Sequence, residues 1–267
     1  MEYKLDFNSL DGASLQGTLM IPDAPPKAFL LFVHGITSSR EEWGIFERLA
    51  NTLASAAVGS FRFDYRCHGY NSLPFTELSL YGILSDIDAA WKAASRHPSL
   101  SDTIGALPLL VCGSSFGGGL VYRWASTHGN VRHAFLLAPV FDYWADITKT
   151  APDWKSDLIN HNTIDYAGRR LARTILHEAK YFQTVGSAGS QPVPALICHG
   201  TADDDVPIAM SQAVAFAHAH IELCPIEGAA HVLAVPGDLD MVLPESWRYV
   251  GAAQDIILAK LSKILGQ

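Results

Sequence analysis

The sequence predicts an α/β protein: a mostly parallel, twisted sheet of about eight strands flanked by helices, with a small helical cap inserted into it. Two observations point there. From Ala28 onward, short apolar runs alternate with longer amphipathic segments, the pattern of βαβ units packed around a mostly parallel sheet. The 267 residues are 49% hydrophobic and only 17% charged, which is enough apolar surface for a large core and too little charge for disorder.

The residues up to Ile21 alternate as a half-buried strand does, and Asp11-Gly12 supplies a turn, so the chain opens with an antiparallel hairpin at the sheet edge. Phe29 to Val33, Val58 to Phe63, Leu107 to Cys112, Ala134 to Leu137, Ala195 to Cys198 and Ile221 to Cys224 read as strands. Arg40 to Ala56, Leu78 to His97, Phe116 to His128, Pro207 to His220 and Trp247 to Leu265 read as helices. One stretch breaks the rhythm: Tyr143 to Gln191 is too long for a simple crossover and ends in the small, polar G-S-A-G-S. It reads as a helical cap, residues 143–191, dividing a core made of residues 1–142 and 192–267. Trp144, Trp154, Tyr166, Tyr181 and Phe182 within it either cover a substrate pocket or pack the cap onto the core. Arg169, Arg170 and Arg173 read as helical, with the first and last one turn apart, facing either an acidic substrate or carboxylates such as Asp165 and Glu178.

The net charge of -8, with no concentrated basic stretch, excludes a nucleic-acid partner and favours a small-molecule substrate. The opening M-E-Y-K-L-D-F-N has no basic segment followed by an apolar run, and no stretch is apolar enough to cross a bilayer, so a soluble cytoplasmic protein without a membrane partner is expected. Cys112, Cys198 and Cys224 fall in apolar runs and Cys67 in a turn, none with metal-ligand spacing; buried free thiols in a reducing compartment account for them. His218 and His220 have ligand-like spacing but no third partner, and read as a surface pair at a helix end. No metal and no cofactor is expected, and the oligomeric state is not readable.

The chemistry begins at Gly113-Ser114-Ser115-Phe116-Gly117, a G-x-S-x-G pattern between a buried strand and a glycine-rich helix start. A serine hydroxyl becomes nucleophilic when an imidazole takes its proton, and the imidazole needs a carboxylate to fix its tautomer. The strand ending at Cys198 is followed by H-G-T-A-D-D-D-V-P, and the strand ending near Pro225 by E-G-A-A-H, so an acid and His231 both fall at the carboxyl ends of strands, where open α/β sheets gather their functional groups. Phe116, at a helix start just after Ser115, supplies one N–H donor for an oxyanion.

With its G-S-S-F-G elbow, its His34-Gly35 turn, its R-F-D-Y-R-C-H-G segment, its G-T-A-D and its G-A-A-H in this order, the chain resembles the α/β-hydrolase family from about Ala28 to its end. The resemblance implies a serine hydrolase whose triad is Ser115, Asp203 and His231, with Asp204 and Asp205 as helix-entry carboxylates and Asp142 as the acid in an alternative family arrangement. It implies Ile36 as the second oxyanion donor, in a loop with a single glycine, and structural roles for His34 and His68. Cys67 stands where the family has glycine, which implies an altered turn if that position needs a positive φ. The cap and the H-G-T-x-D-x-x-V-P element look most like cinnamoyl and feruloyl esterases and related monoacylglycerol-type esterases. A carboxylesterase acting through an acyl-enzyme is the leading expectation. Thioesterase, peptidase and carbon-carbon bond hydrolase use the same triad and remain open, and a non-catalytic ligand-binding homologue is the reading from outside enzymology.

Overall fold

The structure is a computed structural model that describes all residues other than Ser72, Ala188, Leu239 and Gln267. Strands β1 (Glu2–Asn8) and β2 (Ser14–Met20) pair antiparallel in register, Glu2 facing Met20 and Asn8 facing Ser14, and form the opening hairpin. They are followed by β3 (Ala28–Val33), α1 (Ile45–Ser55), β4 (Val58–Asp64), α2 (Leu80–Ser95), β5 (Leu109–Ser114), α3 (Ser115–Ser126) and β6 (Val131–Leu137). The stretch expected to form the cap, residues 143–191, contains α4 (Tyr143–Thr150), α5 (Trp154–His161), β7 (Thr163–Tyr166), β8 (Arg169–Ala172) and α6 (Arg173–Tyr181). The core resumes with β9 (Ala195–Gly200), α7 (Ile208–Ala217), β10 (Ile221–Ile226) and α8 (Pro244–Ile264).

Eight strands form one sheet in the order β1-β2-β4-β3-β5-β6-β9-β10, parallel from β4 to β10. Every residue of β3, β4, β5 and β9 is buried, because helices cover both faces, which is why these strands read as unbroken apolar runs. Leu31, Phe61, Val111, Leu136 and Ile197 pack toward α2, α3 and the cap. Leu30, Phe32, Leu110, Phe135 and Leu196 pack toward α1 and α8. The register pairs Val33 with Gly113, Ser114 with Leu137, and Leu137 with Cys198, so β3, β5, β6 and β9 end along one rim. Everything that follows these strands is gathered there.

Three expectations need correction. The cap is not purely helical: β7 and β8 form an antiparallel hairpin, Tyr166 facing Arg169, closed by Ala167 at φ +49° and Gly168 at φ +78°. Arg169 and Arg170 therefore lie on a strand and only Arg173 begins a helix. The hairpin wins because Ile164, Tyr166 and Leu171 alternate with exposed polar neighbours and are buried on one face. The first core helix starts at Ile45 rather than Arg40, since Glu42, Trp43 and Gly44 all take left-handed backbone, at φ +45°, +58° and +87°. Cys67 does not alter its turn: it keeps the left-handed conformation at φ +66°, while its N–H donates to Asn71 Oδ1 at 2.9 Å. All four cysteines are free thiols. Among the described residues no helix is long and apolar enough to cross a membrane, and no cluster of three or more His, Cys, Asp or Glu side chains is arranged to hold a metal ion.

Candidate active site

β5 delivers Ser115 to the rim through a turn so tight that Ser115 takes φ +48°, a left-handed conformation that costs a non-glycine residue energy and holds the hydroxyl clear of the sheet. Gly117 makes the turn possible, since a Cβ there would lie 2.1 Å from the carbonyl oxygen of His34. The Ser115 carbonyl accepts the N–H of Val140 at 2.9 Å, and Tyr143 of the cap donates to the Phe116 carbonyl at 2.5 Å, so the first turn of α3 is held from both core and cap.

The acid and the base arrive on two loops laid against each other. Thr201 N–H donates to Ile226 O at 3.0 Å and Ala202 N–H to Ala229 O at 2.9 Å, and a Cβ on Gly200 would lie 2.1 Å from that Ala229 oxygen. Asp203 Oδ1 accepts the backbone N–H groups of Asp205 and Val206 at 3.0 and 2.8 Å. Its Oδ2 accepts His231 Nδ1–H at 2.8 Å, which leaves Nε2 of that ring to accept the Ser115 hydroxyl at 2.9 Å. Ser115, Asp203 and His231, far apart in sequence, thus form one continuous hydrogen-bond relay. Burial opposes charge on Asp203, but hydrogen bonds from His199 and His231 outweigh it and hold its carboxyl well below the usual carboxylate range. Burial likewise opposes charge on His231, and the Asp203 hydrogen bond and charge overcome it, raising the imidazole above its ordinary value.

Asp142 does not join this relay. It is exposed at the start of α4, where it accepts Ala145 N–H at 2.9 Å as a helix cap. Asp204 and Asp205 line the pocket, and their carbonyls accept from Lys149 Nζ.

The loop after β3 carries the second expected donor. His34 is fully buried and held neutral by burial, with Nδ1–H donating to Gly35 O at 2.8 Å. Gly35 N–H donates to Glu42 Oε2 at 2.9 Å, and Thr37 N–H donates to His68 Nε2 at 3.0 Å. His68 is kept in that tautomer by its own Nδ1–H, which donates to Arg66 O at 2.9 Å, and burial lowers its pKa to about 4. With its neighbours engaged, Ile36 N–H has no hydrogen-bond partner among the described residues. Phe116 N–H sits in the first turn of α3, where helix amides lack intrahelical acceptors.

Two residues of the site escaped the sequence reading. His199, the last but one residue of β9, is fully buried and reaches Asp203 Oδ2 at 3.3 Å while donating to Val206 O at 2.8 Å and accepting from Ser211 at 2.8 Å. It was visible as the first letter of H-G-T-A-D. Glu42 is buried to 1% exposure, an unusual fate for a glutamate in a polar stretch, and no local pattern announces it.

A pocket of about 590 Å³ opens over Ser115 and His231, walled by Ile36, Trp43, Val232, Val235 and Pro236, with Asp204, Asp205 and Asp240 also lining it. No Lys or Arg lines it among the described residues. Arg169 stacks over Phe75 at 4.9 Å and Arg170 pairs with Asp157 at 3.5 Å, which places both among cap contacts. Trp144 and Trp154 meet edge to face at 5.5 Å, Phe182 is buried against Tyr143, and Tyr181 is exposed, so these cap aromatics pack the cap or face solvent. Tyr166 donates to Asp146 Oδ2 at 3.0 Å; burial raises the Asp146 carboxyl to about 6, and its charge is felt by His231.

Among known proteins, the chain is 23% identical to a monoacylglycerol lipase of Mycolicibacterium smegmatis over 90% of this chain and 95% of that protein. Its fold matches Est1E from Butyrivibrio proteoclasticus, with and without bound ferulic acid, at a TM-score of 0.75 and 21% identity. Coverage is 96% of this chain and, for the two structures, 98% and 99% of Est1E. The esterase domain of a Rhodothermus marinus protein matches at a TM-score of 0.68 and 19% identity, covering 98% of both chains. At these identities the structural likeness bears on the fold. The family model described as serine aminopeptidase, S33, matches residues 24–173, more than half of the chain, so the protein belongs to that family and is a serine hydrolase with the α/β-hydrolase fold.

Proposed function

We propose that the protein hydrolyses carboxylic esters of small to medium, uncharged substrates through an acyl-enzyme on Ser115. The single observation that carries this is the relay from Ser115 Oγ through His231 to Asp203, at 2.9 and 2.8 Å, beneath a largely apolar pocket. The Ser115 oxygen attacks the ester carbonyl and its proton passes to His231 Nε2, while the Ile36 and Phe116 N–H groups receive the oxyanion. His231 then protonates the departing alcohol, and a water molecule, deprotonated by the same imidazole, releases the acid. No step calls for a cofactor.

The apolar wall made by Trp43, Val232 and Pro236 suits an aromatic or short-acyl ester, and the likeness to a protein that binds ferulic acid favours the aromatic type. The four free thiols suit a reducing, cytoplasmic setting. A second reading, hydrolysis of aminoacyl amides, is favoured by the family description and by Asp204, Asp205 and Asp240, which would attract a free amine. A panel of short-acyl, long-acyl and hydroxycinnamoyl esters, thioesters and aminoacyl anilides decides among them. Ester turnover in the purified protein, falling at least about a thousandfold in Ser115→Ala and His231→Ala, is the expected result. Retained turnover in Ser115→Ala would refute it.

A further inference from the structure

Glu42 has no part in the relay, yet the chain goes to some length to bury it. Three successive left-handed residues, Glu42, Trp43 and Gly44, turn the backbone back on itself just before α1. For the two non-glycine residues this conformation is costly, and such strain persists only where surrounding contacts impose it. Here it sends the two side chains in opposite senses: the Glu42 carboxyl is 1% exposed, whereas Trp43 is 44% exposed at the pocket wall.

The groups around the carboxyl are donors. Gly35 N–H donates to Oε2 at 2.9 Å, and the hydroxyls of Ser38 and Ser114 favour the charged carboxylate. Burial raises the Glu42 carboxyl above the usual carboxylate range, and the Gly35 N–H with the two hydroxyls, which can donate to it, oppose that shift. Gly35 abuts both the carboxyl and the elbow: a Cβ built on it would lie 3.1 Å from Glu42 Oε1 and 3.3 Å from Ser115 Cβ. Glu42 is therefore bonded to the oxyanion loop at Gly35, the residue that also abuts the elbow at Ser115.

We propose that Glu42 is a positioning residue that locks the loop following β3 onto the elbow at Ser115, so that Ile36 N–H is held at the distance the developing oxyanion requires. The inference rests on the hydrolytic reading of Ser115. His68 fixes the far side of the same amide by engaging Thr37 N–H, and between the two clamps Ile36, a pocket-lining residue, has an N–H without a partner among the described residues. A carboxylate is suited to this place because it takes several donors at once, where an amide side chain accepts through a single oxygen.

The titratable groups that feel its charge are His231, from the loop after β10, Tyr65, at the end of β4, and Cys112, on β5. Tyr65 and Cys112 stay neutral, since burial pushes both well above their usual values. Only His231 responds. The Glu42 carboxylate favours its protonated form, so removing that charge makes the base available at lower pH.

The test uses the full-length protein on a chromogenic short-chain ester, comparing wild type with Glu42→Gln, Glu42→Ala and Ser38→Ala. Glu42→Gln is expected to lower kcat by about tenfold to a hundredfold, less than the hundred- to thousandfold loss of an entire oxyanion donor, with KM within about twofold. Affinity for a trifluoromethyl ketone, whose adduct with Ser115 bears the oxyanion, should fall in parallel, and the acid limb of the kcat profile should move to lower pH. Ser38→Ala, which removes one donor from a partly exposed position, should lower kcat about threefold and keeps the test open if Glu42→Ala does not fold. Unchanged kcat and ketone affinity in Glu42→Gln, in an active wild-type background, overturns the role of Glu42 alone. An inactive wild-type protein overturns it together with the esterase reading.

Discussion

His199 Nε2 stands 3.3 Å from Asp203 Oδ2, the same oxygen that receives His231 Nδ1–H at 2.8 Å. The carboxylate is thus shared between a working imidazole and a buried structural one. Replacing His199 with Phe leaves Ser211, the Val206 carbonyl and part of Asp203 without their partner in a dry environment. A loss of about 3 kcal/mol is expected, seen as a fall in Tm of roughly 5–10 °C. Relieved of its competitor, Asp203 would bind His231 more strongly, so the acid limb of the activity profile should move to higher pH. A Tm equal to wild type, or a shift to lower pH, would count against this sharing.

The wild-type profile follows from the same electrostatics. His231 must be neutral to take the Ser115 proton, and Asp203 raises its pKa, so half-maximal activity on the acid side should fall above the ordinary imidazole value of about 6.5. Initial rates between about pH 5 and pH 9 test it; an inflection below 6.5 would mean that burial, not the carboxylate, controls the ring.

Two aspartates compete on paper for the acid's role. Asp203→Asn removes the acceptor that fixes the His231 tautomer and should reduce kcat by about a thousandfold or more. Asp142→Asn keeps a helix cap and should stay within about threefold of wild type. Reversed rankings would transfer the role to Asp142.

Gly117→Ala probes the elbow without touching a reacting group. The added methyl would meet the His34 and Val33 carbonyl oxygens at 2.1 and 2.6 Å, both backbone atoms that cannot rotate away. The loop after β3 must then retreat from Ser115. Activity should fall about a hundredfold or more, with a lower Tm; near-normal kinetics would show that this approach is not required.

Asp146 offers a prediction on stability. Its carboxyl is pushed up to about 6 by burial, against about 3.9 in an unfolded chain, so between these values the folded state binds the extra proton and stability declines as pH rises. Asp146→Asn is always neutral and still accepts from Tyr166. Its Tm should exceed that of wild type by a few degrees at pH 8, with the difference closing near pH 4. A pH-independent difference would contradict the account.

Ser115 and His231 could be picked out of the sequence because each follows an apolar strand run and sits in a short, spaced pattern, whereas Asp203 was singled out from Asp204 and Asp205 by the family resemblance. Local chemistry and topology agree at those points. The β7–β8 hairpin was not legible, since Arg169 and Arg173 have helical spacing and the deciding features are two left-handed residues and the burial of Ile164, Tyr166 and Leu171. Cys67 misled in a different way. A side chain where glycine is usual suggested a changed turn, but the surrounding contacts keep the backbone and impose the strain on cysteine. Glu42 and His199 were hidden because burial of a polar group is a tertiary property, set by how their loops and strands pack rather than by any local spacing.

The stitching of residues 200–202 to 226–229 has a mechanical meaning. Asp203 and His231 follow strands bonded edge to edge, on loops laced together, so they travel as a rigid pair, whereas Ser115 is anchored at the end of β5, two strands from β9. Thermal breathing of the sheet will therefore open and close the gap between serine and imidazole far more readily than that between imidazole and carboxylate, making the nucleophile's hydrogen bond the adjustable joint of the machine.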